Sequence, residues 1–342
     1  MKTLDFRSDT VTLPTKSMYD SLLEAELGDD VYEDDKTVNK LEKKAANIVG
    51  KEKALFVPSG TMGNLISIMV HINPGEEVIL EKNSHIFLYE VAGIARIAGV
   101  QSMTIEGING SLNPINIEKS IRKDNIHFHK TSLICLENTH NMAGGTTIPL
   151  DNMKEIYEIS KKHNIPIHLD GARIFNAAEY LNVEAKEITK YTDSVMFCLS
   201  KGLSAPVGSV IAGSNDFIKK ARKIRKMLGG GMRQAGLIAS CGIVALDEVK
   251  NKTRQDHDKA KLLAKELNKI EKVNVNEETV HTNIVNVDFS KTNIKSNELL
   301  DKMKSKGLLV NPRGEYEIRF VTHNNLEEED VLKAIEVVKQ IL

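Results

Sequence analysis

The feature of this chain that most limits its possible folds is a regular alternation of short apolar runs with longer amphipathic segments. The apolar runs lie at residues 54–57, 78–80, 132–136, 165–169, 195–199 and 207–212. Apolar residues recur at helical spacing between most of them, most clearly at residues 62–71, 88–98 and 152–163. Strands that alternate with helices favour a largely parallel sheet covered by helices. The pattern therefore predicts an α/β fold.

Further elements are predicted on both sides of this alternating region. Four helices are predicted there, at residues 15–27, 38–49, 234–251 and, after a break, 256–270. Thr37 is the predicted cap of the second helix, and Gly50 is its predicted end. The last part of the chain is predicted as strand, helix, strand and helix, at residues 283–289, 297–305, 316–322 and 326–341.

The length of the chain indicates more than one structural unit. A chain of 342 residues is too long for one compact core, and it suits a large domain with a smaller one. Residues 1–14 are rich in polar and charged side chains and are predicted to form an N-terminal arm. We therefore predict a large domain over residues 15–250 and a small α+β C-terminal domain over residues 251–342.

Composition argues against several classes of function. The net charge is -1 and the pI is about 6.8, so no basic field indicates binding to nucleic acid or to an anionic membrane. The longest apolar stretches, such as residues 65–72, are too short to span a membrane, and the N-terminus lacks the apolar segment of a signal peptide. We interpret Cys135, Cys198 and Cys241, which are widely spaced, as reduced thiols of a cytoplasmic protein.

Small and polar residues follow the first predicted strand. Ligands of parallel sheets bind beyond the carboxyl ends of the strands, so these positions are the first candidates for a site. The segment PSGTMGN at residues 58–64 opens a helix there. Small residues let backbone N–H groups approach an anion at the positive end of a helix. The segment matches neither of the common nucleotide-binding motifs, and by itself it is as consistent with a plain strand–helix turn as with a phosphate site.

Ionisable or polar residues follow three other predicted strands. Asp170 comes after residues 165–169, and a buried acid needs a cation, which could be Arg173 or a protonated ring nitrogen of a cofactor. Lys201 comes after residues 195–199; it is either a lysine that bonds covalently to carbonyl groups or one that extends to solvent at a domain edge. The polar run ENTHN at residues 137–141 suits either a site or a loop.

The order of these features is more specific than any one of them. A phosphate site, an acid and a lysine 31 residues after that acid follow the layout of fold-type I enzymes that use pyridoxal 5'-phosphate (PLP). The chain resembles low-specificity L-threonine aldolases over essentially its full length. The resemblance rests on DFRSDTVT (5–12), GDDVY (28–32), PSGTMGN (58–64), ENTHN (137–141), HLDGAR (168–173), CLSKGL (198–203) and GGGMRQ (229–234).

The resemblance implies a fold, a reaction and an assembly. The fold is that of PLP-dependent transferases, with a mainly parallel seven-stranded sheet in the large domain. The reaction is the retro-aldol cleavage of L-threonine or L-allo-threonine to glycine and acetaldehyde. The assembly is a homotetramer, built as a dimer of dimers with shared active sites.

The resemblance also implies the residues that hold the cofactor. Lys201 would bind PLP covalently, and Asp170 would pair with the pyridine nitrogen. Gly60 and Thr61 would hold the phosphate, with help from Arg233 of a neighbouring subunit.

The substrate-binding residues are implied in the same way. Ser8, Arg173 and Arg319 would bind the substrate carboxylate, and Arg173 would also contact the cofactor. A guanidinium suits a carboxylate better than an ammonium does, and Arg313 is the nearby competitor for Arg319.

The resemblance leaves the proton chemistry open. His85 would stack on the cofactor ring. The base for the β-hydroxyl group would be either His85 or a water that it orients, and His127 would be a further contact of the hydroxyl.

Two alternative functions remain at this point. The first is another PLP lyase of the same superfamily, either a phenylserine aldolase or a β-eliminating amino-acid lyase. The second is a metal-dependent aldolase that uses His127 and His129, because an HxH pair on a strand would present both imidazoles on one face. The lysine–aspartate pair argues against a non-catalytic role.

One segment departs from the family pattern. The family usually continues GDDVY with Gly-Glu-Asp-Pro, whereas this chain has Glu33-Asp34-Asp35-Lys36. Loss of that glycine and proline changes the stiffness of the loop. The loop reaches a neighbouring subunit's site in the family, so we expect any divergence to appear in substrate preference.

Overall fold

A seven-stranded sheet forms the centre of the molecule in the computed structural model, which describes residues 3–342. The strands, in chain order, are β1 (Leu4–Asp5), β2 (Lys53–Val57), β3 (Glu77–Glu81), β4 (Gln101–Ile105), β5 (Thr131–Glu137), β6 (Ile167–Asp170), β7 (Ser194–Cys198), β8 (Ser209–Gly213), β9 (Ile284–Asp288), β10 (Leu308–Leu309), β11 (Asn311–Pro312) and β12 (Glu317–Val321). The large sheet has the order β2-β8-β7-β6-β5-β3-β4. Its strands are parallel except β8, which is antiparallel to both neighbours. The predicted α/β fold is confirmed.

The strands that could be predicted from the sequence are those that are buried. Every residue of β3, β5, β6, β7 and β8 is buried, so most of their residues are apolar on both faces and the strands appear as short apolar runs. β4 was not predicted. It lies at the edge of the sheet, and only its last residue, Ile105, is buried.

Helices cover the sheet and connect its strands. They are α1 (Lys16–Leu23), α2 (Lys36–Ile48), α3 (Gly60–His71), α4 (His85–Leu88), α5 (Gly93–Arg96), α6 (Pro114–Ser120), α7 (Leu150–His163), α8 (Ile174–Leu181), α9 (Ala185–Thr189), α10 (Asn215–Met227), α11 (Gly236–Leu267), α12 (Ser296–Ser305) and α13 (Glu328–Ile341). Among residues 3–342, no helix combines the length and the apolar character that a membrane crossing requires.

Three details of the predicted helices are wrong. α2 is capped by Asp35, whose Oδ1 accepts a hydrogen bond of 2.9 Å from Val38 N, and not by Thr37. The helix predicted at residues 88–98 is replaced by the two short helices α4 and α5. α11 continues without the predicted break, because the polar residues there, such as Thr253 and Asp256, are buried where the helix passes between two cores.

The two hydrophobic cores share α11. Ala239 and Ala245 of this helix belong to the core of the large sheet, whereas Leu263 and Leu267 belong to a second core around β9 and β12. Strands β11, β12 and β9 form an antiparallel sheet there.

The N-terminal segment joins the second core. Leu4 and Phe6 are buried in it, and β1 pairs with β10 in parallel. Residues 1 and 2 of the predicted arm lie outside the described residues. The domain boundaries after residues 14 and 250 stay predictions, and the second falls inside α11.

Candidate active site

The carboxyl ends of three strands bring the predicted site residues to one edge of the large sheet. β2 and β7 both run antiparallel to β8, and β6 is parallel to β7, so β2, β6 and β7 end at the same edge. Gly60, Asp170 and Lys201 follow or end these strands. A Cβ atom built on Gly60 would lie 2.9 Å from Cys198 Sγ, so the start of α3 packs closely on the end of β7.

The start of α3 leaves backbone donors free. Ser59 caps this helix, and its side-chain oxygen accepts a hydrogen bond of 3.2 Å from Met62 N. Within residues 3–342, the N–H groups of Gly60 and Thr61 have no hydrogen-bond acceptor. Two free donors at the positive end of a helix of this length can bind a phosphate.

Asp170 is a buried acid without a cation among the residues that the structure describes. The residue is 2% exposed, its Oδ1 accepts a hydrogen bond of 3.0 Å from Ala172 N, and its Oδ2 accepts one of 2.9 Å from Asn64 Nδ2. The alternative in which Asp170 pairs with Arg173 is wrong, because Arg173 pairs with Asp9. A carboxylate buried in this way is stabilised by a cation that the described chain does not supply.

Lys201 lies in the turn after β7. Its carbonyl oxygen accepts a hydrogen bond of 2.7 Å from Thr12 Oγ1 and one of 2.8 Å from Ser204 N, which fix the backbone. Its Nζ has no hydrogen-bond or ion-pair partner in residues 3–342. The positive charge of Lys201 helps to lower the pKa of Asp9 and opposes protonation of His85, so the ammonium lies near both residues.

His85 is held by a buried acid that the sequence did not indicate. Its Nδ1 lies 3.0 Å from Glu90 Oε1, and its backbone N–H donates a hydrogen bond of 2.6 Å to Glu137 Oε2. Burial disfavours the charged imidazole, but the hydrogen bond to Glu90 and the charge of Asp170 outweigh burial and raise the pKa of His85. Burial, with the charge of Asp170, also raises the pKa of Glu90.

Arg173 is joined to the N-terminal arm. Its Nε and Nη2 donate hydrogen bonds of 2.7 and 2.6 Å to the two oxygens of Asp9. Asn283 donates a further hydrogen bond of 3.3 Å to Asp9. Burial opposes ionisation of Asp9, but the charges of Arg173 and Lys201 outweigh it and hold the pKa of that carboxyl well below its usual range. The arm is therefore fixed beside the site by a buried ion pair.

Arg319 points from β12 of the second core towards the same place. Its Nη1 donates a hydrogen bond of 2.8 Å to Asn141 Oδ1, and its Nε is buried without an acceptor in the described part of the chain. Burial and the nearby charge of Arg173 lower the pKa of Arg319. The two guanidinium groups therefore lie close enough to repel each other, and an anion between them would relieve that repulsion.

The other two candidates for carboxylate binding, Ser8 and Arg313, differ in whether they have a donor group free for a ligand. Ser8 Oγ accepts hydrogen bonds from Thr10 N at 3.2 Å and from Thr10 Oγ1 at 2.9 Å, which leaves the Ser8 hydroxyl proton free to donate. Arg313 already donates to the carbonyl of Met142 at 3.0 and 2.8 Å and to Glu317. The geometry favours Arg319 over Arg313.

Two predicted site residues, Arg233 and His127, do not lie at the site within a single chain. Arg233 is exposed and its Nη1 lies 2.9 Å from Asp29 Oδ2. His127 lies on an exposed loop before β5, at the amino ends of the parallel strands and thus at the opposite edge of the sheet from Lys201. Strands of this length separate the two edges by roughly 17–20 Å.

The HxH pair is not on a strand, contrary to the argument for a metal site. His129 Nε2 contacts Glu77 Oε2 at 2.7 Å, and His127 is exposed. Within the described residues, the group of three potential metal ligands within 4.8 Å of one another is His85, Glu90 and Asp170, and it contains neither histidine of the pair.

The geometry of the site agrees with comparisons to known proteins. The sequence model of the beta-eliminating lyase family matches residues 5–290. This chain belongs to that family. It is 46% identical over 336 residues to a probable low-specificity L-threonine aldolase of Arabidopsis thaliana, which covers 97% of this chain and 95% of the relative. It is 40% identical over 329 residues to the low-specificity L-threonine aldolase of Escherichia coli (strain K12), with 96% of each chain covered.

The fold of the family is also found among solved structures. The threonine aldolase of Leishmania major superposes on this chain with a TM-score of 0.82 at 19% identity, and the match covers 98% of this chain and 99% of that one. At this identity the likeness concerns the fold, and it agrees with the seven-stranded sheet described above.

Three residues at the site were not predicted from the sequence. Asn64 and Asp9 lie inside segments that match the family, and Glu90 lies in a stretch predicted only as helical. Asn64 offered a usable signal, since an amide among the mostly apolar residues of α3 needs hydrogen-bond partners. The partner of Glu90 could not be recognised from the sequence, because its contacts are with residues outside its own segment.

Proposed function

We propose that this chain is a PLP-dependent L-threonine aldolase that cleaves L-threonine or L-allo-threonine to glycine and acetaldehyde. One observation carries the proposal: among residues 3–342, a lysine amine without a partner, a buried acid bonded only to neutral donors and two helix N–H groups without acceptors lie at one edge of the sheet. They do so in a chain that is 40–46% identical to low-specificity L-threonine aldolases over nearly its whole length. These relatives favour the aldolase over a phenylserine aldolase or a β-eliminating amino-acid lyase.

The residues present fit PLP. The N–H groups of Gly60 and Thr61 suit the phosphate, and the carboxylate of Asp170 suits a protonated pyridine nitrogen. Lys201 offers an amine without a competing partner, and His85 would cover one face of the ring. When bound, PLP accepts the electron pair that is released as the Cα–Cβ bond breaks.

The carboxylate of the substrate would be bound by Ser8, Arg173 and Arg319. The unpaired Nε of Arg319 and the free hydroxyl proton of Ser8 support this role. Arg173 would contribute through Nη1, the guanidinium nitrogen that Asp9 does not use, and it would also contact the cofactor. Binding the carboxylate orients the substrate so that the Cα–Cβ bond is the one that breaks.

The β-hydroxyl proton must be removed as the bond breaks. His85 is one candidate base, because the contact of Nδ1 with Glu90 leaves Nε2 available for proton exchange. A water molecule oriented by His85 is a second candidate. His127 is a third, and it requires a neighbouring subunit.

The assembly and compartment belong to the same proposal. A homotetramer, built as a dimer of dimers with shared sites, would allow His127 and Arg233 of one subunit to reach the site of another. The three cysteines are buried and unpaired, which is compatible with the reducing cytoplasm.

The test is product analysis with the purified protein and added PLP. L-threonine and L-allo-threonine should yield glycine and acetaldehyde in equal amounts, and D-threonine serves as the stereochemical control. Phenylserine and L-serine test the alternatives. Pyruvate and ammonia from L-serine, without glycine from either threonine isomer, would indicate the β-eliminating lyase and overturn the proposal.

A further inference from the structure

Asn64 connects the acid at the predicted ring nitrogen with the histidine at the predicted ring face. It is fully buried in the second turn of α3. Its Nδ2 donates one hydrogen bond of 2.9 Å to Asp170 Oδ2 and another of 2.8 Å to Glu90 Oε1. Glu90 Oε1 also contacts His85 Nδ1 at 3.0 Å. A single amide group therefore bridges Asp170 to the Glu90–His85 pair.

The hydrogen-bond partners determine the orientation of this amide. The carboxylate of Asp170 accepts, so the NH₂ group of Asn64 must face it. Asn64 Oδ1 then faces His168 Nε2 at 3.1 Å, and this nitrogen must carry the proton. His168 Nδ1 consequently accepts from Ser194 Oγ at 2.9 Å. Ser194 Oγ in turn accepts from His71 Nε2 at 2.8 Å.

Two histidines, His168 and His71, form the end of this chain of hydrogen bonds that is distant from Asp170. Both stay neutral, so the direction of donation along the chain does not change. Burial, with a smaller effect of His71, lowers the pKa of His168 to about 3. Burial also lowers the pKa of His71 to about 4. A rotated amide would present its oxygen to the carboxylate of Asp170 and lose the hydrogen bond to it, so the orientation with the NH₂ group towards Asp170 is the stable one.

We propose that Asn64, oriented by His168, is a positioning residue that holds Asp170 and the Glu90–His85 pair in a fixed relation to each other. Given the proposed function, this relation sets the cofactor ring between its acid and its histidine. The amide also supplies donors to two buried carboxyl groups that would otherwise repel each other, since Glu90 and Asp170 belong to the same cluster within 4.8 Å.

The experiment compares three variants of the full-length protein. Asn64→Leu keeps the shape of the side chain and removes its hydrogen bonds, and His168→Leu removes the group that orients the amide. His168→Gln keeps an N–H donor towards Asn64 Oδ1, so it should preserve most of the orientation of the amide that His168→Leu loses. Ser67→Ala is the matched control, because Ser67 is buried in the same helix and bonds only to the carbonyl of Gly63.

The first readouts concern the bound cofactor. Asn64→Leu should weaken PLP binding and lower kcat by about 10- to 100-fold each, the range for losing a hydrogen bond to a charged group, with KM for L-threonine nearly unchanged. The visible absorption band of the bound cofactor should shift in Asn64→Leu and His168→Leu but not in Ser67→Ala. Wild-type affinity, spectrum and kcat in Asn64→Leu would overturn the proposal. If Asn64→Leu fails to fold, the His168→Leu and His168→Gln pair provides the same test.

A second readout is independent of the cofactor. In cofactor-free protein, ¹⁵N NMR of the histidines should find His168 neutral with the proton on Nε2, and the titration of His85 should move in Asn64→Leu. A wild-type protein that binds no PLP would refute the proposed function alone. An unchanged His85 titration, or His168 with its proton on Nδ1, would refute the role of Asn64 alone.

Discussion

Each edge of the large sheet has a buried acid, but the two acids differ in the charge of the groups that donate hydrogen bonds to them. At the amino edge, Glu77 is 1% exposed, and its oxygens receive Thr131 Oγ1 at 2.9 Å, His129 Nε2 at 2.7 Å and Arg122 Nη2 at 3.3 Å. At the carboxyl edge, Asp170 is 2% exposed and receives only neutral donors within residues 3–342. Burial of an acid is thus common to both edges, whereas a missing cation distinguishes the carboxyl edge.

Unpaired charged groups distinguish a ligand site from a structural cluster of buried polar residues. At the amino edge, Arg122 and Thr131 complete the bonding of Glu77, so no ligand is needed there. At the carboxyl edge, Lys201 Nζ and Arg319 Nε have no partners among the described residues. A buried charge without a partner is costly, and a ligand that pairs with these groups would remove that cost, which is why the carboxyl edge is the candidate active site.

The largest expected effect is that of Lys201→Ala. It should lower threonine cleavage by at least about 10³-fold, because the covalent attachment of the cofactor is lost. Borohydride reduction should trap PLP on Lys201 in the wild type and on no residue of the variant, and the melting temperature should change little.

Lys82→Ala is the matched control for this variant. Lys82 also follows a strand at the carboxyl edge, but it is exposed and paired with Glu106. Its removal should leave activity within about twofold. Peptide mass spectrometry that finds the trapped adduct on another lysine would refute the assignment of Lys201.

A pair of charge-removing variants tests the comparison directly. Asp170→Asn should raise the activation barrier by at least about 2–4 kcal/mol, the scale for losing a preorganised charge contact, and should leave stability nearly unchanged. Glu77→Gln should do the reverse: it should lower the free energy of unfolding by about 1–3 kcal/mol and leave kcat/KM nearly unchanged. Steady-state kinetics and urea denaturation measure both. A loss of turnover below about tenfold in Asp170→Asn would make that residue structural.

The carboxylate-binding role is tested by Arg319→Lys, which keeps the charge and loses the planar fork. Binding of glycine and L-threonine should weaken by about tenfold or more, whereas ethanolamine, which lacks a carboxylate, should bind as before. Arg313→Lys is the control, because Arg313 is already bonded to Met142 and Glu317. Equal weakening of ethanolamine and glycine in Arg319→Lys would show that the residue does not bind the carboxylate.

A buried histidine whose hydrogen-bond partner among the described residues, Asn176, is not a predicted site residue should affect stability and not activity. His257 of α11 contacts Asn176 Nδ2 at 3.1 Å, and burial, with a smaller effect of Lys261, lowers its pKa to about 4. The unfolded histidine takes up a proton below about pH 6.5, whereas the folded one stays neutral until about pH 4. The unfolded state therefore binds more protons in this window, and stability is lost as the pH falls through it.

The measurement compares the wild type with His257→Gln. Between about pH 7.5 and pH 5, the wild type should lose about 2 kcal/mol more unfolding free energy than the variant does. Urea denaturation at several pH values measures the difference. Parallel pH dependences would mean that His257 is protonated in the folded protein.

The smallest expected effect lies in the loop that departs from the family pattern. Glu33 has φ of 62°, a left-handed conformation that favours glycine, and Lys36 is the first residue of α2, where proline is favoured. Glu33→Gly should therefore stabilise the protein by about 0.4–1 kcal/mol, since the exposed contact of Glu33 with Arg222 contributes little. Glu33→Ala, which keeps the Cβ atom, should not stabilise it, and an equal gain in both variants would refute the strain at this residue.

Local patterns in the sequence determined much of the sheet and the principal site residues. The apolar runs identified β2, β3, β5, β6, β7 and β8, because the middle of a strand that is buried on both faces is mostly apolar. The positions of Asp170 and Lys201 after such runs sufficed to place them at one edge, since parallel strands end together. The resemblance predicted from the quoted segments is confirmed by the match to the beta-eliminating lyase family over residues 5–290 and by low-specificity L-threonine aldolases that are 40–46% identical.

The pairing of the polar groups depends on tertiary packing and could not be predicted from the sequence. Asn64 meets Glu90 and Asp170 across 26 and 106 residues of chain, and Arg173 meets Asp9 across 164. Hydrophobic periodicity is a local property, whereas the partner of a polar side chain depends on how distant segments pack. The same reason explains why the position of His127 was not predicted. Its distance from Lys201 follows from the direction of β5 and not from its neighbours in the sequence.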